Sequence, residues 1–193
     1  MTSIRSCVLI AALVAATSLP APAWYGRRPG PLPEESRMTD QETETARLTA
    51  MCGVWDVEMT LWVKPGAAGL TTKATSTITP LFGGRYIEET IEGTFNGVPF
   101  TTKSWTGFNA ATRQYEATRI SSTSPGRIAE TGHFDELAKA FDLKADYQDA
   151  GDTWHQRTTI LPQSANSMVA TSYLSFGRVP EWKAVEIKYT RRP

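Results

Sequence analysis

Along most of the chain, apolar and polar residues alternate with a period of two. From Val54 onward the sequence falls into short runs rich in Thr, Val, Ile, Tyr and Trp, residues that suit a half-buried pleated surface. Ten strands are read, at about 54–63, 70–79, 85–95, 98–108, 115–123, 127–134, 140–148, 153–161, 167–176 and 183–191. Pro65-Gly66, Gly83-Gly84, Asn96-Gly97, Pro125-Gly126, Gly151-Asp152 and Gly177 separate them, and each favours a turn. Asp135 to Lys139 is too short a stretch to stand as a helix and reads as a turn. Strands of this number, in meander order with short connections, predict an all-β fold, an antiparallel barrel closed on itself, because closure removes exposed edges. A β-sandwich is the alternative that periodicity alone does not separate.

Ahead of the strands the pattern changes twice. Arg5, then the apolar run Cys7 to Ala16, then Ala21-Pro22-Ala23 have the layout of a signal peptide, residues 1–23, cleaved near Ala23. The run is about half the roughly 20 residues a membrane span needs. Residues 24–38, rich in Pro, Gly and Arg, read as a flexible leader. A short helix is expected next, capped by Thr39 or Asp40 and stopped by Gly53. The barrel domain is therefore placed at 39–193, in an exported protein, periplasmic or secreted.

The Asn96-Gly97 hairpin allows side chains to be assigned to faces, since a two-residue turn fixes the register. Phe95 then faces Val98, Gly93 faces Phe100, Ile91 faces Thr102, Glu89 faces Ser104 and Ile87 faces Thr106. This face is the more apolar and should point inward. The opposite face carries Glu88 beside Trp105 and Thr90 beside Lys103. Extending the register to the next strand pairs Phe108 with Tyr115 and Ser104 with Arg119. Glu89, Ser104 and Arg119 then form one polar row among Ile87, Ile91, Phe100, Phe108 and Tyr115, and these eight residues are the candidate ligand-binding set. A few convergent polar groups in an apolar pocket describe a small-molecule site. A structural ion pair, or a row wetted at the barrel mouth, is the other reading of the same residues. At the opposite end Trp55, Val57, Met59, Leu61 and Val63 share a buried face. Closure brings the first and last strands together, so Arg191 can stack on Trp55 behind Gly53 and plug the barrel.

Charge and composition narrow the classes. Basic and acidic residues are equal in number, and cleavage would remove only Arg5. No basic face is segregated, which argues against nucleic acid as a partner. No apolar stretch beyond residue 23 predicts stable membrane insertion. Cys52 alone follows the leader, so it is either a small core residue or a thiol free to join two chains. The two histidines, His133 and His155, fall on non-adjacent strands, and a metal site wants three or four clustered ligands. No metal or cofactor is expected. No serine sits in a nucleophile elbow, and Gly83-Gly84 lacks the helix start of a phosphate loop.

Several spaced segments resemble a bacterial family called domain of unknown function 1579. They are Gly53-Val54-Trp55-Asp56, Gly83-Gly84-Arg85-Tyr86-Ile87, Glu92 to Phe100, Gly107-Phe108-Asn109 and Val185 to Arg191. The resemblance spans about residues 45–192 and implies a lipocalin-like barrel with no assigned activity. The leading expectation is therefore a non-enzymatic binder of a small apolar or amphipathic ligand. Three alternatives stand beside it: an enzyme using Glu89 as acid or base, a haem barrel ligated by His155, and a structural module, homodimeric through Trp62, Trp105 or Trp182.

Overall fold

A computed structural model describes residues 34–193 apart from 125 and 150, with only the backbone of 34–40. The signal peptide read at 1–23 and most of the leader lie outside the described residues. One helix, α1 (Glu34–Ala50), precedes ten strands: β1 (Gly53–Leu61), β2 (Leu70–Leu81), β3 (Tyr86–Phe95), β4 (Val98–Asn109), β5 (Gln114–Ser121), β6 (Ile128–Asp135), β7 (Ala140–Asp149), β8 (Asp152–Ser164), β9 (Ser167–Phe176) and β10 (Val179–Arg191). Each strand pairs antiparallel with its sequence neighbours, and β1 pairs with β10, so the sheet closes into a barrel.

The hairpin register is the expected one from Phe95↔Val98 to Ile87↔Thr106, and Ser104↔Arg119 and Phe108↔Tyr115 follow on β5. Asn96 and Gly97 both take positive φ, 51° and 82°, the left-handed pair whose twist matches that of the flanking strands. Several boundaries differ from expectation, two of them with consequences for the reading. The helix begins at Glu34, so Thr39 and Asp40 lie inside it rather than capping it. Strand β1 ends at Leu61, and Val63 is 72% exposed rather than inward, because the chain turns at Pro65-Gly66 before that residue can continue the alternation. Gly83-Gly84 is a turn as expected, part of a single 3-10 turn, Phe82–Gly84.

One end of the barrel is packed solid. Leu48 of α1 and Met51, just past its end, enter it and meet Trp55, Val57, Tyr115, Phe141 and Leu143. Phe108, Tyr115, Phe141 and Phe134 run edge to face across it, with centroids 4.8–5.3 Å apart, the preferred geometry for aromatic pairs. Polar links fasten the helix. The Tyr115 hydroxyl donates to Glu44, both Glu44 oxygens accept from Arg47, and Arg47 reaches on to Glu136 while lying 4.1 Å over the Phe134 ring. Burial and the Glu44 carboxylate together push the Tyr115 phenol well above its ordinary pKa, which keeps it a donor.

The same end carries the closing set. Arg191 lies 4.1 Å over Trp55. Its guanidinium donates to Ala165 O at 2.7 Å, to Ala50 O at 2.8 Å and to Cys52 O. The helix's last carbonyl, Ala50 O, which has no partner within the helix, is thus capped by a side chain from the last strand. Trp55 Nε1 donates to Met51 O at 3.0 Å. Gly53 holds φ at 146°, and a Cβ there would overlap Arg191 Nη1, so glycine is required by both backbone and space. Cys52 is a free, half-buried thiol packed at the edge of this core, and burial raises its pKa.

Candidate functional site

Above the packed end the barrel is hollow. A cavity of about 550 Å³ runs from Met51, just past the helix, up to Ser121 at the end of β5 and to Thr123 and Ser124 beyond it. Its size falls within the range of small-molecule sites. The walls are mainly apolar, contributed by inward positions such as Ile78, Ile87, Ile91, Phe100, Leu143 and Met168. Alternation explains this: one residue in two along each strand faces the lumen.

Glu89, Ser104 and Arg119 sit together in that wall. Of the eight residues read as a ligand set, Ile87, Ile91 and Phe100 join them around the cavity. Phe108 and Tyr115 point inward too, but lower, where they pack beneath the lumen against the helix end. The surface Glu89 keeps faces the lumen. Ser76, fully buried on β2, donates to Glu89 Oε1 at 2.7 Å. Tyr189 of β10, Ser104 of β4 and Arg119 of β5 also face this carboxyl. Loss of solvation is the largest influence and raises the Glu89 pKa despite these partners. Tyr189 is likewise raised well above the ordinary phenol value, by burial and then by the Glu89 charge.

A second polar group is absent from the sequence-derived set. Glu130, 5% exposed on β6, accepts from Gln156 Nε2 at 2.9 Å and from Thr158 Oγ1 at 2.6 Å. Thr158 also meets Ser172 Oγ at 3.0 Å. All four line the cavity. The β6–β7 ladder runs only from Thr131↔Lys144 to Asp135↔Ala140. Glu130 therefore lies just past its end, and its side chain reaches over β7 to β8. The signal for it is the alternation Ile128, Glu130, Gly132, Phe134. Turning that alternation inward requires the length of the preceding turn, which the sequence leaves open.

At the mouth, Tyr147, Trp154, Phe176 and Trp182 form an aromatic cluster, with Trp154 and Phe176 stacked at 4.2 Å. Trp182 Nε1 donates to Trp62 O at 3.1 Å, and Lys183 lies 4.4 Å over the Trp62 ring. On the outer wall Trp105 Nε1 donates to Glu88 Oε2 at 2.8 Å, and Lys103 pairs with Glu88 at 3.2 Å. These bonds hold the Glu88 carboxyl below its ordinary pKa. Both histidines are on the outside. His155 pairs with Asp146 at 2.7 Å with 57% of its side chain exposed, and His133 lies beside Arg113 O and Gln114.

The fold has precedent among solved structures. An S-type phycobiliprotein lyase from Guillardia theta, CPES, aligns with 81% of this chain and 97% of its own at a TM-score of 0.52 and 11% identity. That likeness shows the lipocalin-like fold and nothing finer. The structure of EF1p2_mFAP2b bound to DFHBI aligns with 77% of this chain and 99% of its own at 9% identity, but its TM-score of 0.44 is too low to bear on this protein. No curated protein matches the sequence. A family model matches residues 40–191, all ten strands and the helix end beneath them, and the chain belongs to that family, described as Protein of unknown function (DUF1579).

Proposed function

We propose that this protein is an exported carrier that holds a small, largely apolar molecule inside its barrel. The observation that carries the reading is the cavity itself. A chain of this size can fill its interior, and at the helix end it does so with Tyr115, Phe141 and Leu143, each 2% exposed or less. Yet about 550 Å³ of lumen lies directly above them, apolar in most of its wall and polar at Glu89, Arg119 and Glu130. Keeping that space forgoes roughly 24 cal/mol of packing stability for each Å³ left open, and a bound apolar molecule restores those contacts. Export rests on the residue 1–23 pattern.

The haem alternative loses its ligand, since His155 faces outward and is paired with Asp146. The enzyme alternative keeps Glu89 as a carboxyl of raised pKa in a cavity, a feature common to catalytic acids and to structural ones.

Native mass spectrometry of the protein isolated gently from producing cells tests the carrier reading. An added mass that leaves on denaturation is the expected result, and it should vanish in Ala170→Phe, which fills the lumen from β9. A bare protein in both, at any gentleness of isolation, combined with no binding of apolar probes, would sink the reading.

A further inference from the structure

The lumen has an imbalance of hydrogen-bond donors and acceptors. Its two carboxyls are both supplied: Glu130 accepts from Gln156 and Thr158, and Glu89 accepts from Ser76 with Tyr189 and Ser104 facing it. Arg119 is different. Its guanidinium carries five N–H donors in a planar fork and stays charged at any ordinary pH. It lies within electrostatic range of Glu89, Tyr189 and Tyr147, yet among the described residues it donates to none at hydrogen-bond distance. It lines the cavity, so its donors are presented to whatever enters.

We propose that the lumen takes an amphiphile with one carboxylate head, whose two oxygens receive the Arg119 fork while the apolar body lies toward Ile78, Ile87, Phe141 and Met168. The proposal rests on the carrier reading and names its ligand class. A fork of parallel N–H groups matches a carboxylate bidentately. An amine would have to strip donors from Glu89 or Glu130 and would sit beside a cation. A neutral molecule would leave the unused Arg119 donors facing hydrocarbon, which is costly. A dianion such as a phosphate monoester would bring a second negative charge to a lumen with a single cation, near Glu89 on β3 and Glu130 on β6, so a monoanion is favoured over a dianion.

The test is isothermal titration calorimetry with dodecanoate, dodecanol and dodecylamine, each below its aggregation concentration. The proteins are the wild type, Arg119→Gln and the lumen-filled Ala170→Phe, with folding checked by circular dichroism. The wild type should bind dodecanoate about tenfold or more tighter than dodecanol, the gain of a charge-assisted fork. Arg119→Gln should erase that preference while changing dodecanol affinity less than about twofold. Ala170→Phe should abolish both. Arg119→Lys, which keeps the charge and loses the fork, should give an intermediate preference and serves if the glutamine variant does not fold. Equal affinity for acid and alcohol, or a preference that survives Arg119→Gln, overturns the head-group assignment and leaves the carrier reading standing. Tightest binding by the amine overturns the assignment in favour of the carboxyls. Dodecanoate binding that survives Ala170→Phe places the ligand outside the lumen and overturns both.

Discussion

Arg191 and Arg119 are the same side chain on inward positions of the same barrel, and their surroundings differ in one respect. At the packed end, Arg191 donates to three backbone carbonyls and lies flat on Trp55. In the lumen, Arg119 has electrostatic neighbours and an open face. Two things follow from the contrast. A charge held by three of the chain's own carbonyls is part of the fold. A charge whose donors are left over, in a cavity, adds nothing to stability that a well-packed apolar residue would not supply, and that surplus is the ground for the proposed head-group site.

The contrast can be broken from either side. The largest effect should come from Trp55→Ala, which empties a site only 1% exposed and removes the surface Arg191 stacks on. A loss of about 3–5 kcal/mol is expected, read from denaturant unfolding. Arg191→Met should follow, costing roughly 2–4 kcal/mol through three orphaned carbonyls and the lost cation–π contact. Gly53→Ala, forced into a left-handed backbone against the guanidinium, should cost about 1–3 kcal/mol. Arg119→Gln should change stability by less than about 1 kcal/mol in the ligand-free protein, since no hydrogen bond among the described residues is lost. Equal destabilisation by Arg119→Gln and Arg191→Met would erase the distinction between a closing arginine and a binding one.

A smaller effect sharpens the lumen side. Glu89 is raised by burial above its ordinary value of 4.5, so the native state holds a proton that the unfolded chain gives up at that value. Stability should therefore fall as pH rises from about 4.5 through the raised folded value. Glu89→Gln keeps a neutral, hydrogen-bonding side chain and should flatten that slope. Urea unfolding of both proteins from about pH 4.5 to 8 measures it, and parallel pH profiles would show Glu89 ionised in the fold.

How much of the site is legible depends on the local signals available. Asn96-Gly97 allows one turn length and hence one register, and that alone aligns Glu89, Ser104 and Arg119 in a row. The Pro125-Gly126 break allows two lengths, and a one-residue slip inverts every face of β6. Glu130 therefore stays hidden, although its own alternation with Ile128 and Phe134 is in plain view. Phe108 and Tyr115 face inward as the alternation requires but sit below the lumen, because alternation assigns a face and not a depth. The helix start departs from its capping signal for a related reason: capping residues mark where a helix can begin and not where it must, and this one starts at Glu34 and runs through Thr39 and Asp40.

By itself the sequence determined the ten strands, their meander order, the family and the residues turned to one side of the best-marked hairpin. Those properties follow from period-two patterning and turn chemistry, which act between near neighbours. Tertiary structure alone decided where the interior is filled and where it is hollow, that Glu130 is held by Gln156 and Thr158 across an intervening strand, and that Arg191 is spent on carbonyls while Arg119 is not. Each of these depends on distances between groups far apart in the chain, and closure of the barrel is what sets them.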